Sequence, residues 1–303
     1  MAYWQKEIRS LMGKAIHRYG LIQEGDRILV GVSGGKDSLT LLHLLYERSK
    51  RVPIHYELMP VYIDLGFDHS TAPSPALESR AKGALMVNPE PSTRVPRLSP
   101  SRASGSSDSP KSQAEGQAQA FRLESRRVDS RRADILRNFF ETKRLPHHIE
   151  FTDIGRKANS AENRENPCFL CSWERRKRLF HLAHRFKCNK IALGHHQDDI
   201  IETLLLNIFY SAEISTMLPL QTLFKGKITL IRPLALLEEK KIERFAREMK
   251  LPFGSSGCPS SGKTKRKVVK DLIETLSKKD RRVKGNIFRS LSNIKLDYLL
   301  WKK

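Results

Sequence analysis

The sequence predicts an α/β protein built on a doubly wound parallel five-stranded sheet, with a helical N-terminal lead-in and a basic helical C-terminal extension. Three observations carry this expectation. Short apolar runs, largely β-branched, alternate with longer stretches of helical period. The first such run passes directly into a glycine-rich turn and an amphipathic helix. The same alternation resumes on both sides of one polar interruption, as it does in a sheet with helices on both faces.

Residues 1–24 read as an amphipathic helical lead-in with Trp4, Ile8, Leu11 and Met12 on one face. The α/β domain follows over 25–255. Strands are expected at 27–32 (RILVGV), 58–64 (LMPVYID), 148–152 (HIEFT), 190–194 (KIALG) and 228–231 (ITLI), and helices at 38–48, 132–142, 172–186, 198–210 and 238–249. Between 73 and 132 Ser, Pro, Ala and Arg dominate, Phe121 is the only aromatic residue and no apolar period survives. Such a segment cannot bury enough surface to offset its ordering entropy, so it reads as a disordered insertion leaving one surface loop. Residues 256–303 hold a Gly/Ser-rich loop with Cys258 and then two basic amphipathic helices.

Composition narrows the function. Fifty-five Lys and Arg against 33 Asp and Glu give a net charge of +22, which points to a polyanionic partner, most simply nucleic acid. The excess is concentrated after residue 260, where Lys265, Arg266 and Lys267 open the first basic helix. No run approaches the roughly 18 apolar residues of a membrane span, and the N-terminus lacks the apolar stretch of a secretory signal, so no membrane association and a cytoplasmic location are expected. Four cysteines are too few for a disulfide scaffold.

In an open parallel sheet ligands sit outside the carboxyl ends of the strands, and the informative motifs fall there. After the first strand, Ser33, Gly34, Gly35, Lys36, Asp37 and Ser38 form a phosphate cradle. The glycines let successive N–H groups face an anion at a helix N-terminus, the serines add donors and Lys36 adds a mobile charge. The spacing is not that of a Walker A loop, and Asp37 stands where that loop needs Ser or Thr. Asp64 ends the second strand. After the fourth come Gly194, His195 and His196, then Asp198 and Asp199 opening a helix, where carboxylates favour the positive dipole end.

Cys168 and Cys171 form a C-x-x-C at a helix start, where the dipole is expected to lower thiol pKa. With Cys258 from the later loop they leave two metal readings, a zinc site completed by a histidine or an iron–sulfur cluster with one iron not held by cysteine. An oxidisable dithiol and inert buried cysteines are the bland alternatives. Cys188 reads as a small core residue.

SGGKDS on a first strand-turn-helix resembles the PP-loop of the N-type ATP pyrophosphatases. The resemblance implies that residues 33–38 surround the β- and γ-phosphates of ATP with Asp37 near Mg2+, and that Asp64 lies where the nucleotide is positioned. SGGKDS, CFLC followed by Arg175 and Arg176, GHHQDD, IRPL at 231–234 and the later Cys258 together resemble the TtcA-type tRNA 2-thiocytidine synthetases, across nearly the whole chain outside the insertion. That resemblance implies 2-thiolation of cytidine 32 in tRNA, with ATP, Mg2+ and a [4Fe-4S] cluster on Cys168, Cys171 and Cys258. It implies catalytic roles for Lys36, Asp37, Asp64 and Asp199, and nucleotide contacts from 33–38, Gly194, His195, Asp198 and Asp199. Arg175, Arg176 and Lys265 to Lys267 are expected on the RNA. The implied partners are tRNA, a sulfur donor (a cysteine desulfurase or sulfide) and a second copy in a homodimer. A zinc-containing thiolase or a lysidine-synthetase-like ligase is the alternative.

Overall fold

The computed structural model describes residues 3–67, 131–254, 258 and 264–298. The expected insertion at 73–132 lies outside these, except that Arg131 and Arg132 already belong to the helix that follows. The strands are β1 (Asp26–Val32), β2 (Tyr56–Asp64), β3 (His148–Phe151), β4 (Lys190–Ala192), β5 (Leu220–Leu223) and β6 (Ile228–Ile231). The helices are α1 (Tyr3–Arg18), α2 (Lys36–Ser49), α3 (Arg131–Thr142), α4 (Ile154–Ala158), α5 (Pro167–Arg185), α6 (Gln197–Ser211), α7 (Glu239–Glu248), α8 (Lys265–Lys279) and α9 (Val283–Ser290).

The sheet has six strands in the order β3-β2-β1-β4-β6-β5, one more than the sequence predicts. The five expected strands pair in parallel, and the addition is β5, antiparallel to β6 at the edge. From β1 the chain winds outward through β2 to β3, then returns to β4 on the other side of β1. The topological switch therefore lies between β1 and β4, and the loops leaving these two neighbours diverge to open a crevice.

Strand alternation sorts the core into two layers. Ile28, Val30 and Val32 of β1 pack with α1, α2, α3 and α7 on one face, whereas Leu29 packs with Leu182 and Ala183 of α5 on the other. Leu39, Leu41, Leu42, Leu44 and Leu45 of α2 are all buried, because α2 lies between the sheet and other helices and is apolar around most of its circumference. Each such side chain stabilises by roughly 1.5–3 kcal/mol. At the opposite, amino edge, buried Lys190 meets buried Asp26 at 2.7 Å and also donates to the Leu21 carbonyl at 2.9 Å. These bonds satisfy a pair that would be costly to bury bare.

The basic C-terminal extension is docked. Val269 and Ile273 of α8, with Ile287 and Phe288 of α9, pack on Ile201, Leu205, Leu206 and Tyr210 of α6. Since α6 starts at the switch point, the extension is carried directly to the crevice. Among the described residues no helix is long and apolar enough to cross a membrane.

Candidate nucleotide and thiol site

The loop after β1 is held by its own serines. The Ser33 N–H donates to Ser38 Oγ at 3.1 Å, Ser38 Oγ donates to the Gly35 carbonyl at 3.0 Å, and the Gly35 N–H donates to Ser33 Oγ at 3.3 Å. Gly34 has φ +79°, a left-handed conformation that glycine supplies without strain. Its carbonyl accepts from the Gly254 N–H at 3.1 Å and from the Arg132 guanidinium. Burial lowers the pKa of Arg132. Two segments remote in sequence, the start of α3 and the stretch leading to Cys258, are thus fastened to the same peptide.

Lys36 is the first residue of α2. Its ammonium lies 2.9 Å from Glu239 Oε1 and 3.3 Å from Asp37 Oδ1. Burial lowers its pKa, but these two carboxylates more than reverse that and it is raised. Glu239, at the start of α7, also holds Lys270 at 2.7 Å. Burial would raise its carboxyl, yet the two lysines bring it down to about 2. Asp37 is raised by burial against the pull of Lys36 and His196, and its buried Oδ1 accepts no hydrogen bond.

The β4 turn abuts this loop. A Cβ on Gly194 would lie 2.9 Å from the Ser38 backbone nitrogen, so this glycine sets the spacing of β4 from α2. His195 Nδ1 accepts from Arg232 Nε at 3.2 Å, and burial together with the Arg232 charge keeps the imidazole neutral well below its ordinary pKa. Buried His196 lies between three carboxylates, with Nε2 3.3 Å from Asp199 and 3.8 Å from Asp37, and Nδ1 3.8 Å from Asp198. Asp199 accepts from the His196 N–H at 3.0 Å, closing a capping box on α6. Asp64 Oδ1 accepts from the Gly66 N–H at 2.8 Å, so its carboxylate caps the turn after β2.

Cations of α8 and α9 meet the acids of this turn. Arg266 reaches Asp199 at 3.1 Å and Thr203 at 3.1 Å, Lys284 reaches Asp198 at 2.5 Å, and Lys270 holds Glu239. Arg266, expected on the RNA, therefore faces the acidic turn. Lys267 pairs with Asp271 one turn on, and Lys265 lies over the Tyr210 ring at 4.2 Å. Beside them, Glu202 is pushed up to about 7 by burial, with Arg266 and Lys270 pulling it down and Asp199 and Glu239 pushing it up. An unfolded glutamate titrates near 4.3, so between about pH 4 and about pH 7 the folded protein holds a proton that the unfolded chain has lost. Stability falls as pH rises through that window. Relative to Glu202→Gln, the parent is expected to lose up to about 3 kcal/mol between about pH 4.5 and about pH 8, read from urea midpoints.

Cys168 and Cys171 occupy the first turns of α5, with Pro167 at its start and the Asn166 side chain accepting from the Cys168 N–H at 2.9 Å. Positions three apart on a helix place their Cβ atoms about 5–6 Å from each other on one face. The lowering expected for the thiols at this helix start is not what Cys171 shows. Burial raises its pKa, Arg175 lowers it, and Cys258 raises it further, which brings residue 258 within electrostatic reach of residue 171. Arg175 also acts on His195, linking the head of α5 with the β4 turn. Arg176 beside it is half-buried. Cys188 lies in the core behind the sheet. Among the described residues no group of three or more His, Cys, Asp or Glu side chains surrounds a single ion position.

Sequence reasoning passes over Arg132, Arg232, Gly254, Glu202 and Glu239 as site residues. Arg232 lies in the IRPL segment noted in the sequence, but its role depends on a partner 37 positions away. Glu239 has a local sign, an acid opening a helix after a strand, which equally marks an ordinary cap.

The PP-loop domain model matches residues 130–275. The tRNA-cytidine(32) 2-sulfurtransferase of Geobacter sulfurreducens is 33% identical over 301 residues, spanning 97% of this chain and 92% of that protein. The tRNA-cytidine(32) 2-sulfurtransferase of Geotalea uraniireducens is 33% identical over 296 residues, spanning 97% and 93%. The solved structure of the U34-tRNA thiolase NcsA from Methanococcus maripaludis, with its [4Fe-4S] cluster, shares the fold with a TM-score of 0.65 at 21% identity, covering 98% of this chain and 80% of that one. Identity of one residue in three, sustained over almost the full length of both sequences, means that the chain belongs to the tRNA-cytidine(32) 2-sulfurtransferase family.

Proposed function

We propose that this chain uses ATP to replace the C2 oxygen of cytidine 32 in tRNA with sulfur. One observation carries the reading: the hydrogen bond from the Gly254 N–H to the Gly34 carbonyl ties the phosphate loop to the stretch leading to Cys258. An anion cradle and cysteine thiols thereby share one edge of the sheet, as sulfur insertion at an activated base requires. The family's named activity and the [4Fe-4S] cluster of the fold neighbour point the same way.

In this reading residues 33–38 and the start of α2 bind the triphosphate through backbone N–H groups. The C2 oxygen of the cytidine attacks the α-phosphorus, the bond to the bridging oxygen breaks and pyrophosphate leaves, its growing charge met by Lys36 and the loop amides. Asp37 and Asp199 would hold Mg2+, and Asp37 Oδ1, which accepts no hydrogen bond and faces the Lys36 ammonium at 3.3 Å, is an oxygen already set against positive charge. Gly194 and neutral His195 flank the nucleotide from β4, Asp64 flanks it from β2, and Asp198 fixes α7 by accepting the Glu239 N–H at 2.7 Å. Cys168, Cys171 and Cys258 would hold the cluster. The donor set fits, because a thiol raised by burial and by a neighbouring cysteine, as Cys171 is, is one whose ionisation a bound cation drives. Three cysteine ligands would leave the cluster short of a fourth protein ligand, and the chemistry it would supply is delivery of sulfide to C2 of the activated base, with AMP as the leaving group. Arg175 and Arg176 orient the RNA or its adenylate. The sulfur enters from a cysteine desulfurase or from free sulfide, the protein works in the cytoplasm, and a homodimer is the expected assembly.

The test is anaerobic incubation with tRNA, ATP and sulfide, followed by nucleoside, iron and acid-labile sulfide analysis. The parent and Cys188→Ala should yield 2-thiocytidine and Cys258→Ala none. An iron-loaded parent that makes no 2-thiocytidine, or a parent that holds zinc in place of iron and sulfide, overturns the reading.

A further inference from the structure

The positive excess of this chain is read most simply as an RNA grip on α8 and α9, but many charges of that extension are already engaged. Arg266, Lys270 and Lys284 are tied to Asp199, Glu239 and Asp198, while Lys267 and Arg282 pair with neighbouring acids. The exposed face of α5 differs. From residue 173 onward its exposed side chains are Trp173, Arg175, Lys177, Arg178, His181, His184 and Arg185, with no acid among them. Arg178 pairs with Glu150 at the edge of the sheet. Trp173, Lys177, His181 and Arg185 stand four residues apart and so form one ridge, about 18 Å long at 1.5 Å per residue.

The head of this ridge carries an aromatic ring. Trp173 is 44% exposed and lies two residues past Cys171 and two before Arg175. Lys177 sits 5.0 Å from its ring centroid, holding the indole against the helix. Along the tail, Arg178, His181, His184 and Arg185 border a shallow hollow of about 530 Å³. A flat ring followed by a line of cations is the arrangement that binds an unpaired nucleotide together with the phosphates beyond it. The base stacks on the ring, and the backbone follows the charges.

We propose that the exposed ridge of α5 is the RNA track of this protein. Trp173 stacks an unpaired base at the thiol end of the site, and Lys177, His181 and Arg185 follow the phosphates away from it. This inference rests on the proposed tRNA substrate and adds where the RNA lies. Catalysis could proceed with tRNA gripped elsewhere, so the two ideas fail separately.

The experiment is equilibrium binding of an unmodified tRNA transcript over a salt series, with a fully paired RNA duplex as comparison. The Lys177→Ala/Arg185→Ala double variant should bind tRNA at least tenfold more weakly. Its plot of log K against log salt should be shallower by about 1.5, the loss of two phosphate contacts. Trp173→Ala should weaken tRNA about five- to a hundredfold and leave duplex binding unchanged, and Trp173→Phe should recover most of the loss. A Lys14→Ala/Lys240→Ala control, which removes the same charge from exposed positions on α1 and α7, should bind as the parent does. Ridge variants that bind and thiolate tRNA like the parent, or a control as weak as they are, overturn the track alone. A parent that binds no tRNA overturns the substrate reading beneath it.

Discussion

Gly194→Ala is expected to reduce pyrophosphate release from ATP about 10²-fold and to destabilise the fold by roughly 1–3 kcal/mol. The added methyl would stand 2.9 Å from the Ser38 nitrogen, 3.0 Å from the Asp37 carbonyl carbon and 3.1 Å from the Ser38 Cα. All three are backbone atoms at the head of α2, in a stretch whose neighbouring leucines are fully buried, so no side-chain rotation relieves the contact. Either β4 or the phosphate loop must move by a few tenths of an ångström, and the loop has the less support. Its amides and Lys36 are then displaced from the phosphates they have to meet. Gly35→Ala is the matched comparison. Gly35 has φ −78°, and a methyl there meets only Ser33 Oγ at 3.4 Å, so its stability should stay within about 1 kcal/mol of the parent. Urea unfolding and a pyrophosphate assay on both variants check this. Equal stability of the two would mean that the β4–α2 spacing is not set at Gly194.

The parts of this architecture that sequence reveals are those decided within a few residues. β1, β2, β4 and β6 are buried, and their apolar runs announce them. β5 gives no such signal. LQTL is three half-buried residues and one exposed residue at an antiparallel edge, and the turn after it places Phe224 and Lys225 at φ 52° and 55° before Gly226 at φ 89°, so glycine stands at the last of three left-handed positions and two are filled by residues that do not mark a reversal. α4, of five residues, is too short for a period to show. The same division holds in the site. The phosphate loop is legible because glycine and serine geometry is local, whereas Arg132, Glu239 and Gly254 reach it across 98, 203 and 220 positions. Charge counting finds a basic tail but not its pairing, since which lysines are spent on Glu239 or Asp198 depends on how α8 and α9 dock on α6. For Cys171 the helix-start rule gives one direction and burial gives the other, and burial is set by tertiary packing that composition does not contain.

Lys36→Met should leave the protein folded and lower the rate of ATP activation 10²- to 10³-fold, the range for removing one donor that meets charge developing in a transition state. Methionine keeps the stem of the side chain. Neither carboxylate left behind is orphaned, because Glu239 retains Lys270 at 2.7 Å and Asp37 retains His196 Nε2 at 3.8 Å, so the fold should lose no more than about 1 kcal/mol. The missing charge matters more for the reaction. Glu239 and Asp37 hold the Lys36 ammonium firmly protonated, which makes it a fixed positive charge at neutral pH, anchored at 2.9 and 3.3 Å. Pyrophosphate gains charge as it departs, so the loss should fall on kcat and leave the KM for ATP changed by a smaller factor. Glu239→Gln tests the anchor separately. It leaves the ammonium in place but less confined, and should cost less than Lys36→Met. Lys36→Arg should not restore the rate, since a planar guanidinium cannot take the position of a compact ammonium between two carboxylates. A Lys36→Met enzyme with raised KM and unaltered kcat would place this lysine on the ground-state phosphates. The departing charge would then have to be met by the loop amides, and the wide effect expected at Gly194 would become the stronger of the two.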